Sequence, residues 1–169
     1  MNKKLAHALH YLIWLSGVSN WNMEAAKLAN SIVMSEATSF RNRQRPLTGA
    51  KIVKAPRGPI PDKYYEHLRW LEREGLINIF GAAQLCKSLS RPDLSAFEDR
   101  DLAIMADMAE SCSKKYTSAD LSNPFRDDIW ETLGIGDEIP LTACLPGKIV
   151  PGNPEPLEKS RQELKNMGC

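Results

Sequence analysis

Three histidines are the side chains best suited to acid–base or metal chemistry in this chain of 169 residues. His7 and His10 stand three residues apart in a segment with helical periodicity, so both rings would share one helical face. Two imidazoles without a neighbouring carboxylate or cysteine make a weak metal site, because zinc sites use three or four protein ligands. We expect one of the two at the edge of the core and the other in solvent. The sequence predicts no metal site and no cofactor.

The cysteines are far apart, and no histidine stands beside any of them in the sequence. A thiolate–imidazole pair is therefore not indicated, and Cys112 and Cys144 are expected to be small buried groups. The chain has no phosphate-binding glycine loop, zinc-protease motif or serine-hydrolase motif. It has no C-x-x-C pair and no signal peptide, which is typical of reduced thiols in a cytoplasm. No apolar run approaches the ~18 residues that a membrane span needs. We expect a cytoplasmic protein that is not an enzyme.

Basic side chains are concentrated in one segment, although the formal net charge of the chain is only +1. No acidic residue occurs from Ala37 to Pro61, and the acids are concentrated after residue 97. Three interpretations remain open: contacts with nucleic-acid phosphates, neutralisation by the protein's own acids, or a surface for an acidic protein partner. No aromatic residue interleaves the basic ones up to Lys54, unlike in single-strand binders. The basic residues are Arg41, Arg43, Arg45, Lys51, Lys54 and Arg57.

The first two segments of the chain, which precede the basic residues, each have an apolar face with helical spacing. Gly17 would end the first helix, and Asn20 or Asn22 would cap the second. Small side chains on the second face predict a close crossing with another helix. The inward residues would be Leu5, Leu9, Leu12 and Ile13 in the first helix, and Ala26, Ala29, Val33, Ala37 and Phe40 in the second.

The second half of the chain continues the helical pattern. The sequence "SAFE", Ser95–Glu98, matches a capping box, and a further short helix would end at Pro124. Residues 146–156 read as a proline- and glycine-rich linker, and residues 157–169 as an amphipathic C-terminal helix. The helix after the capping box would bury Leu102, Met105, Ala106 and Ala109. We predict a mainly α fold with a minor short β element (α+β): one compact helical domain over residues 1–145, plus a C-terminal tail.

The segment around Arg57 is rich in residues that restrict the backbone. The sequence "AKIVKA" would form a short strand before Gly58, Pro59 and Pro61, which would stiffen the approach to the next helix. We expect Pro61 in the first turn of that helix and Asp62 as its cap.

The helix after the prolines would present two stripes. Tyr64, Leu68 and Leu71 would face the core, which leaves Tyr65 and Arg69 on an outer stripe because they stand four residues apart. Gly75 would end the helix in a left-handed conformation, with Leu76 against Leu71 as in a Schellman motif. A second short strand would follow over Leu76–Phe80.

The segment "PLTGAKIVKAPRGPIPDKYYEHLRWLEREGLI", Pro46–Ile77, resembles the Panacea domain found in SocA-like antitoxins and their phage-associated relatives. The likeness rests on a preceding helix "KLANSIVMSEA", a Thr-Gly turn, the Gly-Pro-Ile-Pro element and a helix ending in "EGLI". It continues through "LSAFEDRDLAIMADMAESCSKKYTSADLS", Trp130 and "DEIPL", so it covers roughly Leu5–Leu145. The resemblance implies a mostly helical domain that neutralises a toxin by binding it, without catalysis.

A cognate toxin, encoded beside this protein, is therefore the expected partner. Tyrosine and arginine carry binding energy most often, so we predict an interface centred on Lys54, Arg57, Tyr64, Tyr65 and Arg69, with Arg41, Arg43 and Arg45 at its rim. The resemblance also implies a structural motif, which comprises Gly58, Pro59, Pro61, Gly75 and Trp130. Two alternatives are a nucleic-acid-binding regulator that uses residues 41–57, and an adaptor that passes a bound protein to a protease through its tail.

Overall fold

Five α-helices and two antiparallel hairpins make up the part of the chain that is described by a computed structural model, residues 1–21, 23–114 and 128–144. This confirms the predicted mainly helical α+β fold. The cap at Asn22, the short helix ending at Pro124, the linker 146–156 and the terminal helix 157–169 lie outside the described residues. The elements are α1 (Lys3–Val18), α2 (Ala25–Arg43), β1 (Ile52–Ala55), β2 (Gly58–Pro61), α3 (Tyr64–Arg73), β3 (Ile77–Phe80), β4 (Leu85–Ser88), α4 (Asp99–Lys114) and α5 (Asp128–Thr132), with a 3-10 turn at Leu141–Ala143.

Helix α1 lies at the centre of the main core and contacts α2, α3, α4 and β4. The predicted inward side chains Leu5, Leu9, Leu12 and Ile13 are all fully buried, as expected. Burial extends round the helix, because neighbours pack on several sides and leave little surface for solvent. Among the helices of the described ranges, none is long and apolar enough to cross a membrane.

Helices α2 and α4 pack closely along their lengths, as the small side chains of α2 predicted. Ser31 Oγ donates a hydrogen bond to Lys27 O (2.8 Å), and Ser35 Oγ donates one to Ser31 O (2.6 Å). These buried hydroxyls are therefore satisfied within their own helix and do not hinder the crossing. The inward positions predicted for α4 (Leu102, Met105, Ala106, Ala109) are buried.

The predicted starts of α2 and α4 were wrong. Ala26 is exposed, and α2 begins after Glu24, whose side chain makes no capping hydrogen bond. Asn20 does not cap α2; it has a φ of 55° in the turn before it. Helix α4 begins at Asp99 rather than at the Ser95 capping box, because the Asp101 carboxylate accepts the Glu98 N–H (3.1 Å) and closes the first turn there.

The two prolines of the Gly-Pro-Ile-Pro element lie in a strand, β2, rather than at the beginning of a helix. Asp62 N–H donates to Lys51 O (2.8 Å), so these two residues form a hydrogen-bonded pair. Hydrogen-bonded and non-hydrogen-bonded pairs alternate along an antiparallel ladder, and Val53 with Ile60 is therefore the next hydrogen-bonded pair. Pro59 and Pro61 then fall at the positions whose N–H groups would point away from β1. Proline is compatible with an edge strand at those positions, since no ladder bond is lost.

Helix α3 begins at Tyr64, so the prediction of Pro61 in its first turn and Asp62 as its cap was wrong. Lys63 adopts a left-handed conformation (φ 55°) and turns the chain from β2 into α3. The predicted end of α3 is confirmed. Gly75 has φ 70°, its N–H donates to Glu72 O (2.9 Å), and Leu76 N–H donates to Leu71 O (3.0 Å), which are the two hydrogen bonds of a Schellman motif.

The segment 128–144 extends the β1–β2 hairpin. Lys54 N–H donates to Asp137 O (2.9 Å), and Ile139 N–H donates to Ile52 O (2.7 Å), so this segment runs along the free side of β1. Its apolar side chains complete a second, smaller core against α2 and β1, comprising Val33, Ala37, Ile52, Trp130, Ile139 and Cys144. Trp130 is thus buried in this second core.

Candidate protein-interaction surface

The buried histidines serve the fold. His10 Nε2 lies 3.0 Å from Ser88 Oγ and 3.2 Å from Ser90 O, which attaches α1 to the end of β4. His67 Nε2 accepts the Asn2 N–H (3.1 Å), and its Nδ1 lies 2.8 Å from Lys63 O. Across the part of the chain that the structure describes, no three His, Cys, Asp or Glu side chains are grouped in a way that could hold a metal ion.

The burial of His10 predicts a loss of stability in mild acid. Burial lowers the pKa of His10 below its ordinary value of 6.5, because the charged ring is poorly solvated. A lowered folded pKa means that the stabilising contribution is complete above pH 6.5 and is lost as the pH falls through the folded value. We expect the free energy of unfolding, measured by urea titration, to decrease from pH 7 to pH 5.

His10→Gln, which keeps a donor near Ser88, should show a weaker decrease in the free energy of unfolding over the same pH range. His7→Gln is the control, and equal pH slopes for all three proteins would contradict this assignment.

The cysteines of the described residues are buried and poorly suited to act as nucleophiles. Burial raises the pKa of Cys86 to about 11 and that of Cys112 to about 11. The thiols of Cys86 and Cys112 are therefore protonated at neutral pH, and they are poor nucleophiles because the thiolate is the reactive species.

Arg43 and Arg45 are bound to acids of the same chain. The Arg43 guanidinium donates to Ser39 Oγ (2.7 Å) and to the buried carboxylate of Asp101, and Arg45 Nη2 lies 2.7 Å from Glu98 Oε1. These pairs join the C-terminus of α2 to the N-terminus of α4, where cations and anions respectively are favoured by the helix dipoles. Arg43, whose side chain is only 15 % exposed, is not the rim contact that we predicted. For these two arginines, the interpretation as internally neutralised charge is the one that the geometry supports.

Lys54 also has an internal role in place of the predicted contact with a partner. Its Nζ donates to Trp130 O (2.6 Å) and to Leu133 O (2.8 Å), and it lies 4.8 Å from the centre of the Trp130 ring. A cation at the last carbonyls of a helix stabilises the helix end. Lys54 therefore fixes α5 on the β1–β2 hairpin. Lys51, in the same basic segment, forms an ion pair in which its Nζ lies 3.0 Å from Glu138 Oε2.

Tyr64 is a core residue, which corrects its place in the predicted interface. It is 1 % exposed, and its hydroxyl donates to Ala25 O (2.7 Å). Burial raises its pKa well above the ordinary value. Leu68 and Leu71 are buried with it, so the stripe that we assigned to the core does face the core.

Exposed residues of the predicted interface lie in three places. Tyr65 is 49 % exposed, with its ring 5.1 Å from that of Tyr64 and edge-on to it, and Arg69 is exposed on the same outer stripe of α3. Arg57 is exposed at the tip of the β1–β2 hairpin, and Arg41 is exposed near the end of α2. The length of β2, about 13 Å for four residues, separates the tip from the turn before α3. The structure therefore divides the predicted interface into an α3 stripe (Tyr65, Arg69), a hairpin tip (Arg57) and the end of α2 (Arg41).

Exposed apolar side chains were missed in the sequence. Ile135 is 64 % exposed, Leu89 is 58 % exposed and Phe80 is 46 % exposed. The signal for Ile135 was present, because it stands between Gly134 and Gly136 and is followed by two acids, a context for a surface turn. Phe80 gave no comparable signal, since an alternating strand pattern does not show which face is buried when the partner strand, β4, is not recognised.

Comparisons with protein-family models, with curated proteins and with solved structures found no match for this chain.

Proposed function

We propose that this protein is an antitoxin that neutralises a cognate toxin by binding it directly, in the cytoplasm of the cell that makes both. The proposal follows from the sequence resemblance to Panacea-domain antitoxins. The contacts described above support it indirectly. His10 and His67 make hydrogen bonds within the fold, and Cys86, Cys112 and Cys144 are buried. The side chains left on the α3 stripe are of the types that carry binding energy.

The observation that carries the binding role is the rigid support of the α3 stripe. Tyr65 lies against the buried ring of Tyr64, and α3 is held at its end by the Schellman motif and along its inner face by Leu68 and Leu71. A side chain that is held in place before binding loses less conformational entropy when a partner covers it. An exposed tyrosine beside an exposed arginine on such a helix is therefore well suited to a protein interface.

The basic segment gives less support to nucleic-acid binding. Arg43, Arg45 and Lys51 are paired with acids, and Lys54 is bound to backbone carbonyls. Each charge that is compensated internally is one fewer available for phosphates, and non-specific affinity depends on the number of such contacts. The adaptor hypothesis depends on the tail, 157–169, which lies outside the described residues.

Tyr65→Ala is expected to weaken the complex with the toxin by about 1–3 kcal/mol, because it removes a central aromatic contact. Arg69→Ala should have a smaller effect in the same direction. The measurement is calorimetric titration of the purified toxin, taken as the product of the neighbouring gene, with wild-type and variant proteins of verified thermal stability.

The matched control is Arg100→Ala, an exposed arginine on α4, which should leave the affinity unchanged. If Tyr65→Ala and Arg69→Ala both bind the toxin as tightly as the wild type while melting normally, the α3 stripe is not the interface.

A further inference from the structure

The tip of the β1–β2 hairpin has features of a second contact surface. We define the hairpin-tip surface as Pro56, Arg57 and Ile135. Pro56 and Arg57 form the two-residue turn between β1 and β2, and both are exposed. Gly136 N–H donates to Lys54 O (2.8 Å) and Lys54 N–H donates to Asp137 O (2.9 Å), so the turn that contains Ile135 lies beside Lys54, close to the Pro56 end of β1. An exposed cation and a large exposed apolar side chain are therefore presented at one end of the sheet.

Arg57 differs from its basic neighbours in its electrostatic environment. Lys51 is paired with Glu138, and Lys54 is bound to carbonyls of the α5 end. The Asp137 carboxylate accepts a hydrogen bond from Gly134 N–H (2.7 Å). Within residues 1–21, 23–114 and 128–144, Arg57 makes no hydrogen bond or ion pair. Its charge is available to an external carboxylate, and a guanidinium can bind one through two parallel hydrogen bonds.

Ile135 is held in place even though it is exposed. It lies in a turn closed by two hydrogen bonds, Gly134 N–H to Asp137 Oδ2 (2.7 Å) and Asp137 N–H to Gly134 O (3.1 Å). Gly136 N–H donates to Lys54 O (2.8 Å), which attaches this turn to the hairpin. The apolar side chain is thus presented by a fixed backbone, so that covering it would cost little ordering entropy.

The prolines of β2 limit how a partner can bind here. Because Pro59 and Pro61 occupy the positions that face away from β1, the outer edge of β2 offers no N–H donor there. An added strand would lack the hydrogen bonds that strand addition depends on. A partner must therefore contact the tip through side chains.

We propose that the hairpin-tip surface binds a protein segment in which a carboxylate side chain lies beside an apolar one. The carboxylate pairs with Arg57, and the apolar side chain packs on Ile135 and Pro56. If the protein is an antitoxin as proposed above, this segment belongs to the toxin, and the tip adds a second contact to that of the α3 stripe.

The test is selection from a displayed library of random peptides on the full-length protein, with counter-selection on Arg57→Glu. We expect enriched peptides that contain Asp or Glu next to Leu, Ile, Val or Phe. A synthetic peptide of the enriched sequence should bind Arg57→Glu about tenfold or more weakly than the wild type, which corresponds to a contact of at least ~1.4 kcal/mol. Ile135→Ser should also weaken binding, whereas Arg100→Glu, the charge-matched control on α4, should not.

A selection that yields no peptide able to distinguish the wild type from Arg57→Glu overturns the proposal, and so do enriched peptides that lack an acid. The toxin complex provides a separate readout. Arg57→Glu that binds toxin with wild-type affinity overturns the hairpin-tip proposal and leaves the antitoxin function in place. Acidic peptides that require Arg57, together with the absence of any toxin complex, support the surface and contradict the antitoxin function.

Discussion

The Glu36→Ala variant is expected to unfold with a free energy about 3–5 kcal/mol lower than that of the wild type. Glu36 is fully buried in α2 and accepts hydrogen bonds from Leu47 N–H (2.7 Å), Thr48 N–H (2.8 Å) and the Thr48 hydroxyl. Alanine would leave these buried donors without an acceptor, and each unpaired group costs about 1–3 kcal/mol. Glu36 thus fixes the Thr-Gly turn between α2 and β1 through these hydrogen bonds. Its substitution should weaken the attachment of the β1–β2 hairpin to α2.

The measurement is urea-induced unfolding, with Glu66→Ala as a control because Glu66 is exposed on α3. The control should change the free energy by less than about 0.5 kcal/mol. Glu36→Gln should fall between the two, since an amide has one oxygen acceptor in place of two. A Glu36→Ala protein as stable as the control would show that the turn does not depend on this carboxyl group.

The pH dependence of the Glu36 effect has a defined sign. Burial raises the pKa of Glu36 above its ordinary value of 4.5, and the hydrogen bonds from Thr48, Leu47 and Ala50 only partly oppose this. A raised folded pKa means that the contribution is greatest below pH 4.5 and is lost as the pH rises through the folded value. The difference in the free energy of unfolding between the wild type and Glu36→Gln should therefore decrease as the pH rises.

Trp130→Ala is expected to lower the free energy of unfolding by about 3–5 kcal/mol, because it empties the centre of the second core. Trp130 is 9 % exposed and packs with Val33 and Ile139 among the buried residues of that core. Lys54→Met keeps most of the aliphatic stem but removes the ammonium group, and charge-assisted hydrogen bonds are worth about 1.5–3 kcal/mol. Both changes act on the same contact between α5 and the hairpin.

The double variant tests this coupling. Because Lys54 contacts both the ring and the carbonyl of Trp130, Lys54→Met should cost about 1 kcal/mol less in the Trp130→Ala background than in the wild type. Ile129→Ala, a change to an exposed residue of α5, is the control. Additive effects of the two changes would mean that the contact of Lys54 with the Trp130 ring does not help to hold α5.

The parts of the fold that could be predicted from the sequence depend on residues close together in the chain. The apolar spacing of α1, the strand at "AKIVKA" and the Gly75 end of α3 each involve contacts across a few positions. The inner and outer stripes of α3 followed from the same short-range spacing. Tyr64 was assigned to the inner stripe and Tyr65 to the outer one, although Tyr64 was also assigned, wrongly, to the partner interface.

Several of the incorrect predictions involve partners that are distant in sequence. Lys54 was taken for a binding residue because its acceptor at Leu133 lies 79 positions away. Arg43 was taken for a rim residue because Asp101 lies 58 positions away. The role of Glu36 was missed because its backbone donors lie 11 and 12 positions away. Strand β4 was not recognised although it pairs with β3 across a short turn. Proline was read as a helix start because a two-proline edge strand requires a paired neighbour that only the fold supplies.

The function that we propose for this protein is the neutralisation of a toxin by direct binding. The most direct measurement is co-expression with the product of the neighbouring gene, followed by size-exclusion chromatography with light scattering and a growth assay. We predict that the neighbour alone arrests growth, that co-expression of this protein restores growth, and that the two elute as one complex whose affinity falls in Tyr65→Ala. A harmless neighbour, or a toxic one that is neither bound nor neutralised by this protein, would contradict the claim.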